Sequence, residues 1–257
     1  MSLKIIHTAD WHLGQTFFGY DREEEHDAFL NWLVDTLAEQ QTDVLLIAGD
    51  VFDVANPSAS AQRRFFHFLK EANRCNPHLQ VIVVAGNHDS AARLESPIPL
   101  LEELNTSIVG IIRRTESGEI DFDSLVIPLY NKEKKREGWC LAVPYLRQGD
   151  YPAPEEGHDT YIAGINRMYR QLYDFADARR QPGEALVAMG HLHAIGADLS
   201  DYDRIYRITM GGLVSVSSHT FYEGLAYMSF GHIHKTQLIV GRENLRYSGS
   251  PLPMSFS

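Results

Sequence analysis

One of the most apolar stretches of the chain ends abruptly in a glycine and three polar residues. The run from Val81 to Ala85 has the β-branched composition of a buried strand, and it stops at Gly86. Asn87, His88 and Asp89 follow at once. Because glycine lacks a Cβ, we expect a turn there that brings the amide and the imidazole into one space. Ligands bind at the carboxyl ends of strands in open α/β sheets, so this stretch predicts a functional edge.

The same construction occurs at four other predicted strands. The polar residues that follow those strands are Asp10 and His12, Asp50 and Asp53, His191, and His232 and His234. A single polar residue at a strand end is usually structural, whereas five strands with the same arrangement favour a shared metal centre. Helical segments lie between the first strands, and this β-α-β order predicts a parallel sheet within an α/β fold.

Seven side chains are candidate metal ligands, namely two carboxylates, one amide and four imidazoles: Asp10, His12, Asp50, Asn87, His191, His232 and His234. Seven ligands exceed the usual coordination of one ion, so the set predicts two divalent metals that share a bridging carboxylate and a bridging water. Imidazoles without thiolates favour Mn, Fe, Zn or Co over Ca. Such a centre suits phosphoester hydrolysis, because two cations stabilise the negative charge that develops on the phosphate.

Several polar residues beside these ligands have other candidate roles. His88 is a candidate general acid, or a transition-state stabiliser for the leaving oxygen. Asp53 and Asp89 are candidates to orient an imidazole through a hydrogen bond, without binding the metal themselves. Three roles are open for His193, namely an alternative ligand, a supporting hydrogen-bond donor or a bystander. We favour the bystander. His26 lies in a predicted helix, where we favour a packing or surface role.

Apolar periodicity predicts the main helices and strands. Helices are expected over Asp21 to Gln41, from a cap at Ser58 or Ser60 to Arg74 with Phe65, Phe66 and Leu69 facing inward, and over Thr160 to Arg180. A further helix is expected over Leu94 to Asn105, where Pro97 and Pro99 confine its start to the neighbourhood of Ile98. Shorter β-rich runs predict hairpins at Ile108 to Ile112, Leu125 to Tyr130 and Trp139 to Tyr145. No linker interrupts this pattern, so we expect one domain over residues 1–257.

Charge and cysteine content limit the possible partners and location. The chain has 34 acidic and 23 basic residues, a net charge of −11, so any contact with DNA needs local patches or a partner protein. Cys75 and Cys140 fit no metal pattern and favour free thiols in a reducing compartment. No apolar run is long enough to span a bilayer, which predicts a cytoplasmic protein without a membrane segment.

The complete motif set resembles that of the calcineurin-like metallophosphoesterases. The matching motifs are Asp10-x-His12, Gly49-Asp50-x-x-Asp53, Gly86-Asn87-His88-Asp89, Gly190-His191 and Gly231-His232-x-His234. Longer strings resemble the SbcD family of exonuclease subunits, bacterial relatives of a double-strand-break-repair nuclease. These strings are His7 to Gln15, Ala48 to Asp53, Gly231 to Lys235, and Tyr247 to Phe256.

This resemblance implies a four-layer α/β/β/α sandwich and a nuclease that uses Mn²⁺. It implies one metal held by Asp10, His12, Asp50 and His234, a second held by Asp50, Asn87, His191 and His232, and His88 as the catalytic histidine. Family members cut DNA ends from 3′ to 5′ and cut single strands and hairpins, in DNA repair, recombination and replication. They work with an SbcC-type ATPase, usually as a heterotetramer built on a nuclease homodimer.

One departure from the family and two alternatives remain. The sequence stops at Ser257, where family members continue into a DNA-contacting cap and an ATPase-binding segment, so we expect both to be absent from this chain. The first alternative is a phosphoesterase for a small nucleotide or a phosphoprotein, because the same metals serve many substrates. The second is a non-catalytic scaffold for the ATPase, which the intact ligand set disfavours.

Overall fold

The computed structural model describes residues 3–152, 161–194, 197 and 224–255. The strands in this part of the chain are β1 (Ile5–Thr8), β2 (Thr16–Phe17), β3 (Tyr20–Asp21), β4 (Val44–Ala48), β5 (Gln80–Val84), β6 (Thr106–Val109), β7 (Val126–Tyr130), β8 (Arg136–Ala142), β9 (Ala185–His191), β10 (Tyr227–Gly231), β11 (Gln237–Ile239) and β12 (Arg242–Tyr247). The α-helices are α1 (Glu23–Glu39), α2 (Ala59–Cys75), α3 (Ala91–Glu95), α4 (Ile98–Leu101) and α5 (Tyr161–Asp177), with 3₁₀ turns at Glu102–Leu104 and Phe122–Leu125.

The first sheet is parallel, with the strand order β1-β4-β5-β6. Every residue of the central strand β4 is buried, as expected for a parallel strand covered on both faces. Side chains alternate along a strand, so Leu45 and Ile47 pack on one face against α1 and α2. Leu46 and Ala48 pack on the other face, against the second sheet. The alternation therefore places β4 between two hydrophobic layers.

The second sheet has the order β11-β12-β10-β9-β8-β7. Its strands β8, β9, β10 and β12 are parallel, and β7 and β11 are antiparallel at the two edges. Helix α5 packs on this sheet through Ile165, Met168 and Tyr169, and the Tyr169 hydroxyl donates a hydrogen bond of 3.1 Å to the Met189 carbonyl. The layers are thus helices, sheet, sheet and helix, which confirms the predicted α/β/β/α sandwich.

Helices α1 and α2 form as their sequences predict. The apolar side chains of α1 recur three and four residues apart, and its first turn carries three glutamates that interact favourably with the helix dipole. Ser58 caps α2 by accepting a hydrogen bond of 3.1 Å from the Ala61 amide. Phe65 and Phe68 of α2 are buried against the first sheet, each worth roughly 2–3 kcal/mol of hydrophobic stabilisation.

Three local predictions differ from the structure. The helix expected over Leu94 to Asn105 is broken into α3, α4 and a 3₁₀ turn, because Pro97 and Pro99 interrupt helical hydrogen bonding. The run expected as a hairpin from Ile108 pairs in parallel with β5 of the first sheet, and only β7 and β8 form a hairpin. Phe66, expected inside, is only half-buried.

Two further points concern the limits of the chain. The predicted helix start at Thr160 lies outside the described residues, as does Phe256 at the end of the last matching string. Among the helices that the structure describes, none combines the length and apolarity needed to cross a membrane.

Candidate metal centre

The two sheets meet where β4 and β9 end. His191, at the end of β9, donates from Nδ1 to the Ala48 carbonyl at 2.8 Å. A carbonyl oxygen only accepts hydrogen bonds, so the neutral imidazole carries its hydrogen on Nδ1 and its lone pair on Nε2. Nε2 faces Asp50 Oδ2 at 3.1 Å and Asn87 Oδ1 at 3.0 Å. Three acceptors that point at one another need a proton or a cation between them.

We call the cluster of Asp50, Asn87, His191 and His232 the Asn87 site. His232 Nδ1 lies 2.8 Å from Asn87 Oδ1, the same amide oxygen that His191 Nε2 approaches. Burial, reinforced by His191, lowers the pKa of His232 to about 3, so its imidazole is neutral and able to bind a metal. Burial also lowers the pKa of His191, but Asp50 and Asp10 outweigh it and raise that pKa to about 9.

A second cluster, which we call the Asp10 site, consists of Asp10, His12 and His234. Their ligand atoms all lie within 4.8 Å of one another. The Nε2 atoms of His12 and His234 are 3.2 Å apart. The His232 backbone amide donates to both Asp10 carboxylate oxygens, at 2.9 and 3.2 Å, and so fixes the direction of that carboxylate. Burial lowers the pKa of His12, which favours the neutral form that binds metals.

Asp50 lies between the two sites. Its Oδ2 is 3.1 Å from His191 Nε2 and 3.8 Å from His12 Nε2, while its Oδ1 accepts a hydrogen bond of 2.8 Å from the His88 amide. Burial opposes ionisation of Asp50, but the neighbouring histidines, His191 foremost, hold its pKa well below the usual range. In Asp10, by contrast, burial dominates and raises the pKa to about 7. A shared carboxylate at this position fits the bridging role that two ions require.

Four of these candidate ligands have left-handed backbone conformations. Their φ values are 56° for Asp10, 48° for His12, 51° for Asp50 and 94° for His232. Each such residue costs on the order of 1–3 kcal/mol, and strain of this kind clusters at functional sites. Gly86 contributes by close approach, because a Cβ there would collide with the Asp50 carboxylate. The site is therefore built at a cost in stability.

His88 stands beside both sites. Its Nδ1 donates to the Asp53 carbonyl at 2.8 Å, so in the neutral ring Nε2 carries the lone pair. The ring is half-buried and meets the His12 ring edge to face, with 4.8 Å between centroids. His88 also lies within ligand range of His12 and Asp50, so it is close enough to act on a group held there.

Asp53 and Asp89 have different surroundings. Asp53 contacts two imidazoles, since its Oδ1 lies 3.3 Å from His12 Nδ1 and its carbonyl holds His88. Asp89 is buried and accepts from the backbone amides of Gly86, Phe52 and Val51 at 2.9, 3.0 and 3.2 Å. Burial, with a contribution from Asp50, raises the pKa of Asp89 to about 6. Asp89 thus joins the loops that follow β4 and β5.

Two residues near the centre were missed by the sequence analysis. The Ser250 hydroxyl donates to the Asp10 carbonyl at 2.8 Å, and the Tyr145 ring packs edge to face on His191 with 6.2 Å between centroids. Ser250 belongs to a string that the sequence analysis used only for its resemblance. Of the histidines left aside, His26 is buried and donates to the Trp11 carbonyl, and His193 belongs to no ligand group within the described residues.

The residues present fit divalent metal ions. All seven predicted ligands come together from five strand ends, with nitrogen lone pairs and carboxylate oxygens directed at common points. The buried carboxylates and the neutral imidazoles of His12 and His232 bring oxygen and nitrogen lone pairs close together, which is unfavourable without a cation. The absence of sulfur ligands from these groups suits Mn, Fe, Zn or Co.

Comparison with known proteins gives one family and a consistent set of relatives. Residues 3–236 match the model of the calcineurin-like phosphoesterases. The chain is similar to proteins named as the SbcD subunit of the nuclease SbcCD, with 40% identity over 259 residues in Rhodobacter capsulatus, 36% over 267 residues in Escherichia coli K12 and 32% over 265 residues in Bacillus subtilis. Each match covers 99% of this chain but only 62–63% of the relative, so the chain spans less than two thirds of these proteins.

Proposed function

We propose that this chain, which belongs to the calcineurin-like phosphoesterase family, is the nuclease domain of a metal-dependent enzyme that cuts DNA. The expected activities are 3′ to 5′ degradation of duplex ends and cutting of single-stranded or hairpin DNA. The observation that carries the proposal is the convergence of seven candidate ligands from two sheets on the Asp10 and Asn87 sites. The relatives at 36–40% identity are named as nuclease subunits, which supports a nucleic acid as the substrate.

We assign two divalent ions, foremost Mn²⁺, to this centre. One ion would be held by Asp10, His12 and His234. The other would be held by Asn87, His191 and His232, and Asp50 would bind both ions. When bound, such ions supply Lewis-acid activation of water and neutralise the phosphate charge. The protein contributes the fixed directions of the ligands, through the bonds from His191 to Ala48 and from His232 to Asp10.

We assign to His88 the role of donating a proton to the leaving oxygen. The Asp53 carbonyl fixes Nδ1 as a donor, which leaves Nε2 to deliver a proton to the departing sugar oxygen or to stabilise its developing charge. Asp53 also faces His12, so the same residue supports a ligand and the catalytic histidine.

The same relatives are the basis of our proposal for the partners and the location. We assign an SbcC-type ATPase as the partner, in a heterotetramer built on a homodimer of nuclease subunits, and a cytoplasmic location with the DNA. The relatives are named as one component of the SbcCD nuclease, which supports a partner protein. The net charge of −11 is in line with this assignment, because a chain this acidic needs local patches or a partner protein to contact DNA.

The test is cleavage of end-labelled hairpin and single-stranded DNA by the purified chain, with Mn²⁺ and then with a chelator. Cutting that requires Mn²⁺ and is lost in His88→Gln supports the proposal. Metal-independent cutting, or cutting unchanged in His88→Gln, would overturn the assigned chemistry.

A second candidate is a phosphoesterase for a small nucleotide or a phosphoprotein, favoured by the acidic net charge. The discriminating measurement is hydrolysis of a cyclic nucleotide beside the DNA substrates. Robust turnover of the small diester with intact DNA would favour this candidate, whereas DNA cleavage excludes it as the main activity. A chain that binds Mn²⁺ but hydrolyses neither substrate would point to the scaffold role instead.

A further inference from the structure

Ser250 joins two ligand-bearing loops that come from different sheets. Its hydroxyl donates to the Asp10 carbonyl at 2.8 Å, in the loop after β1 of the first sheet. Its backbone amide donates to the His234 carbonyl at 3.1 Å, in the loop after β10 of the second sheet. Asp10 and His234 are both members of the Asp10 site. One residue outside the metal centre therefore ties together two of its candidate ligands across the sandwich.

The segment that carries Ser250, residues 247–253, is itself anchored at both ends, and we call it the C-terminal brace. At its start, the Tyr247 hydroxyl donates to the Leu192 carbonyl at 2.7 Å and accepts from the Ala194 amide at 2.9 Å. This contact holds the loop that follows His191. At its end, the buried Arg22 donates to the Pro253 carbonyl at 2.7 Å.

The middle of the C-terminal brace contacts the loop that carries His234. The Thr236 hydroxyl donates to the Ser248 carbonyl at 2.6 Å. Gly249 has a φ of +73°, and a Cβ there would lie only 2.7 Å from the Thr236 amide nitrogen and 2.8 Å from the His234 carbonyl. Only glycine gives this close approach without displacing the loop. The C-terminal brace therefore packs closely against the loop that carries His234, a member of the Asp10 site.

We propose that Ser250 is a positioning residue that sets the distance between Asp10 and His234 and thereby the metal affinity of the Asp10 site. This inference rests on the proposed function, because it requires that the Asp10 site binds a metal ion. Asp10 and His12 are held in left-handed conformations, so their loop needs bonds that oppose its relaxation. Loss of the hydroxyl leaves the Asp10 carbonyl without this donor and frees the two loops to separate.

The size of the effect follows from the behaviour of supporting residues in metal sites. Removal of such a partner typically costs about 10–100-fold in metal affinity. We expect Ser250→Ala to weaken binding at the Asp10 site by about tenfold, at the lower end of that range. The Asn87 site keeps its affinity, because its ligands are fixed by other bonds, including that from His191 to Ala48.

The experiment is titration of the whole chain with Mn²⁺ alone, followed by calorimetry and by electron paramagnetic resonance. The matched control is Ser248→Ala, since the Ser248 hydroxyl lies in the same segment and, among the described residues, bonds only to the neighbouring Gly249 carbonyl at 3.2 Å. Resonance spectra separate a spin-coupled pair of manganese ions from isolated ions, so they report which variant loses its second ion. Thermal melting in chelator shows whether each variant remains folded.

The outcomes are distinct. Two ions in the wild type and in Ser248→Ala, with one selectively weakened in Ser250→Ala, support the inference. Equal weakening of both ions, or unchanged binding in Ser250→Ala, overturns it and leaves the proposed function standing. If the wild type binds no Mn²⁺, the proposed function fails as well. Should Ser250→Ala fail to fold, Ser250→Cys replaces the hydroxyl by a much weaker donor of similar size, and unchanged affinity there overturns the inference.

Discussion

The Nε2 atoms of His12 and His234 lie 3.2 Å apart, although the two residues are 222 positions apart in the sequence. One follows β1 of the first sheet and the other follows β10 of the second. Two imidazole nitrogens at this distance either share a proton or direct their lone pairs at a common cation. Burial lowers the pKa of His12, which favours the neutral imidazole that binds a metal. The contact is therefore compatible with the metal ion that we propose between the sheets.

Replacement of His88 by Gln should abolish cleavage and spare metal binding. The variant keeps a polar side chain but loses the proton that Nε2 is proposed to deliver, so we expect the single-turnover rate at saturating Mn²⁺ to fall by about 10²–10⁴-fold. The Mn²⁺ dissociation constants, measured by calorimetry, should stay within a few-fold of the wild type. A rate within about tenfold of the wild type would contradict the role of His88.

Addition of Mn²⁺ should stabilise the fold, because ions relieve the repulsion among buried carboxylates and the strain in the ligand loops. At a free concentration about 100 times the Kd, binding adds about 2.7 kcal/mol to the free energy of unfolding. For a chain of this size that corresponds to a rise in Tm of roughly 5–10 °C, measured by scanning calorimetry. Asp50→Asn, which removes the shared ligand, should lose most of this rise, and an equal rise in that variant would contradict the bridging role.

His7 should make the protein less stable in acid. Burial lowers the pKa of His7 from its usual 6.5 to about 3, despite an opposing hydrogen bond that the imidazole donates to the Phe230 backbone. Between these values the unfolded chain binds a proton that the folded chain does not, so the contribution of His7 is complete above pH 6.5 and is lost as the pH falls towards 3.

The measurement for His7 is urea unfolding of the wild type and His7→Gln at several pH values. Between about pH 7 and pH 5 the wild type should lose about 1–2 kcal/mol more stability than the variant, which has no group to titrate. Equal losses in the two proteins would show that His7 is protonated in the folded state.

Val240 should be a site where substitution stabilises the protein. It has a φ of +50° and is 64% exposed, in the two-residue turn between β11 and β12. A β-branched residue is strained in this conformation, whereas Asn-Gly is favoured in such turns. Val240→Asn should add about 1 kcal/mol to the free energy of unfolding, measured by urea denaturation. Val240→Thr, which keeps the branched Cβ, should have no such effect, and equal gains would attribute the change to polarity alone.

The sequence could predict a candidate ligand set because the signal is local. An apolar strand that ends in a glycine and a polar residue specifies both the strand and the position of the side chain, as in β5 with Gly86 and Asn87. The sandwich itself needed the family resemblance, since no local pattern assigns a strand to one of two sheets. That is why the strand at Ile108 was expected in a hairpin and instead joins the first sheet.

The features that the sequence analysis missed depend on contacts between distant residues. The bonds from Ser250 to Asp10 and from Tyr247 to Leu192 span 240 and 55 positions, and no periodicity reports them. The three backbone amides that approach Asp89 come from loops that only the fold brings together. The left-handed backbone of Asp10 and Asp50 is also imposed by the surrounding structure and not by residue preference.

We propose that two metal ions bind between the sheets, and the most direct test is anomalous diffraction at the manganese edge from crystals grown with Mn²⁺. We predict two peaks roughly 3.5–4 Å apart, one at Asp10, His12 and His234 and one at Asn87, His191 and His232, with Asp50 between them. A map with no anomalous peak at these residues, or with manganese bound only elsewhere on the protein, would contradict it.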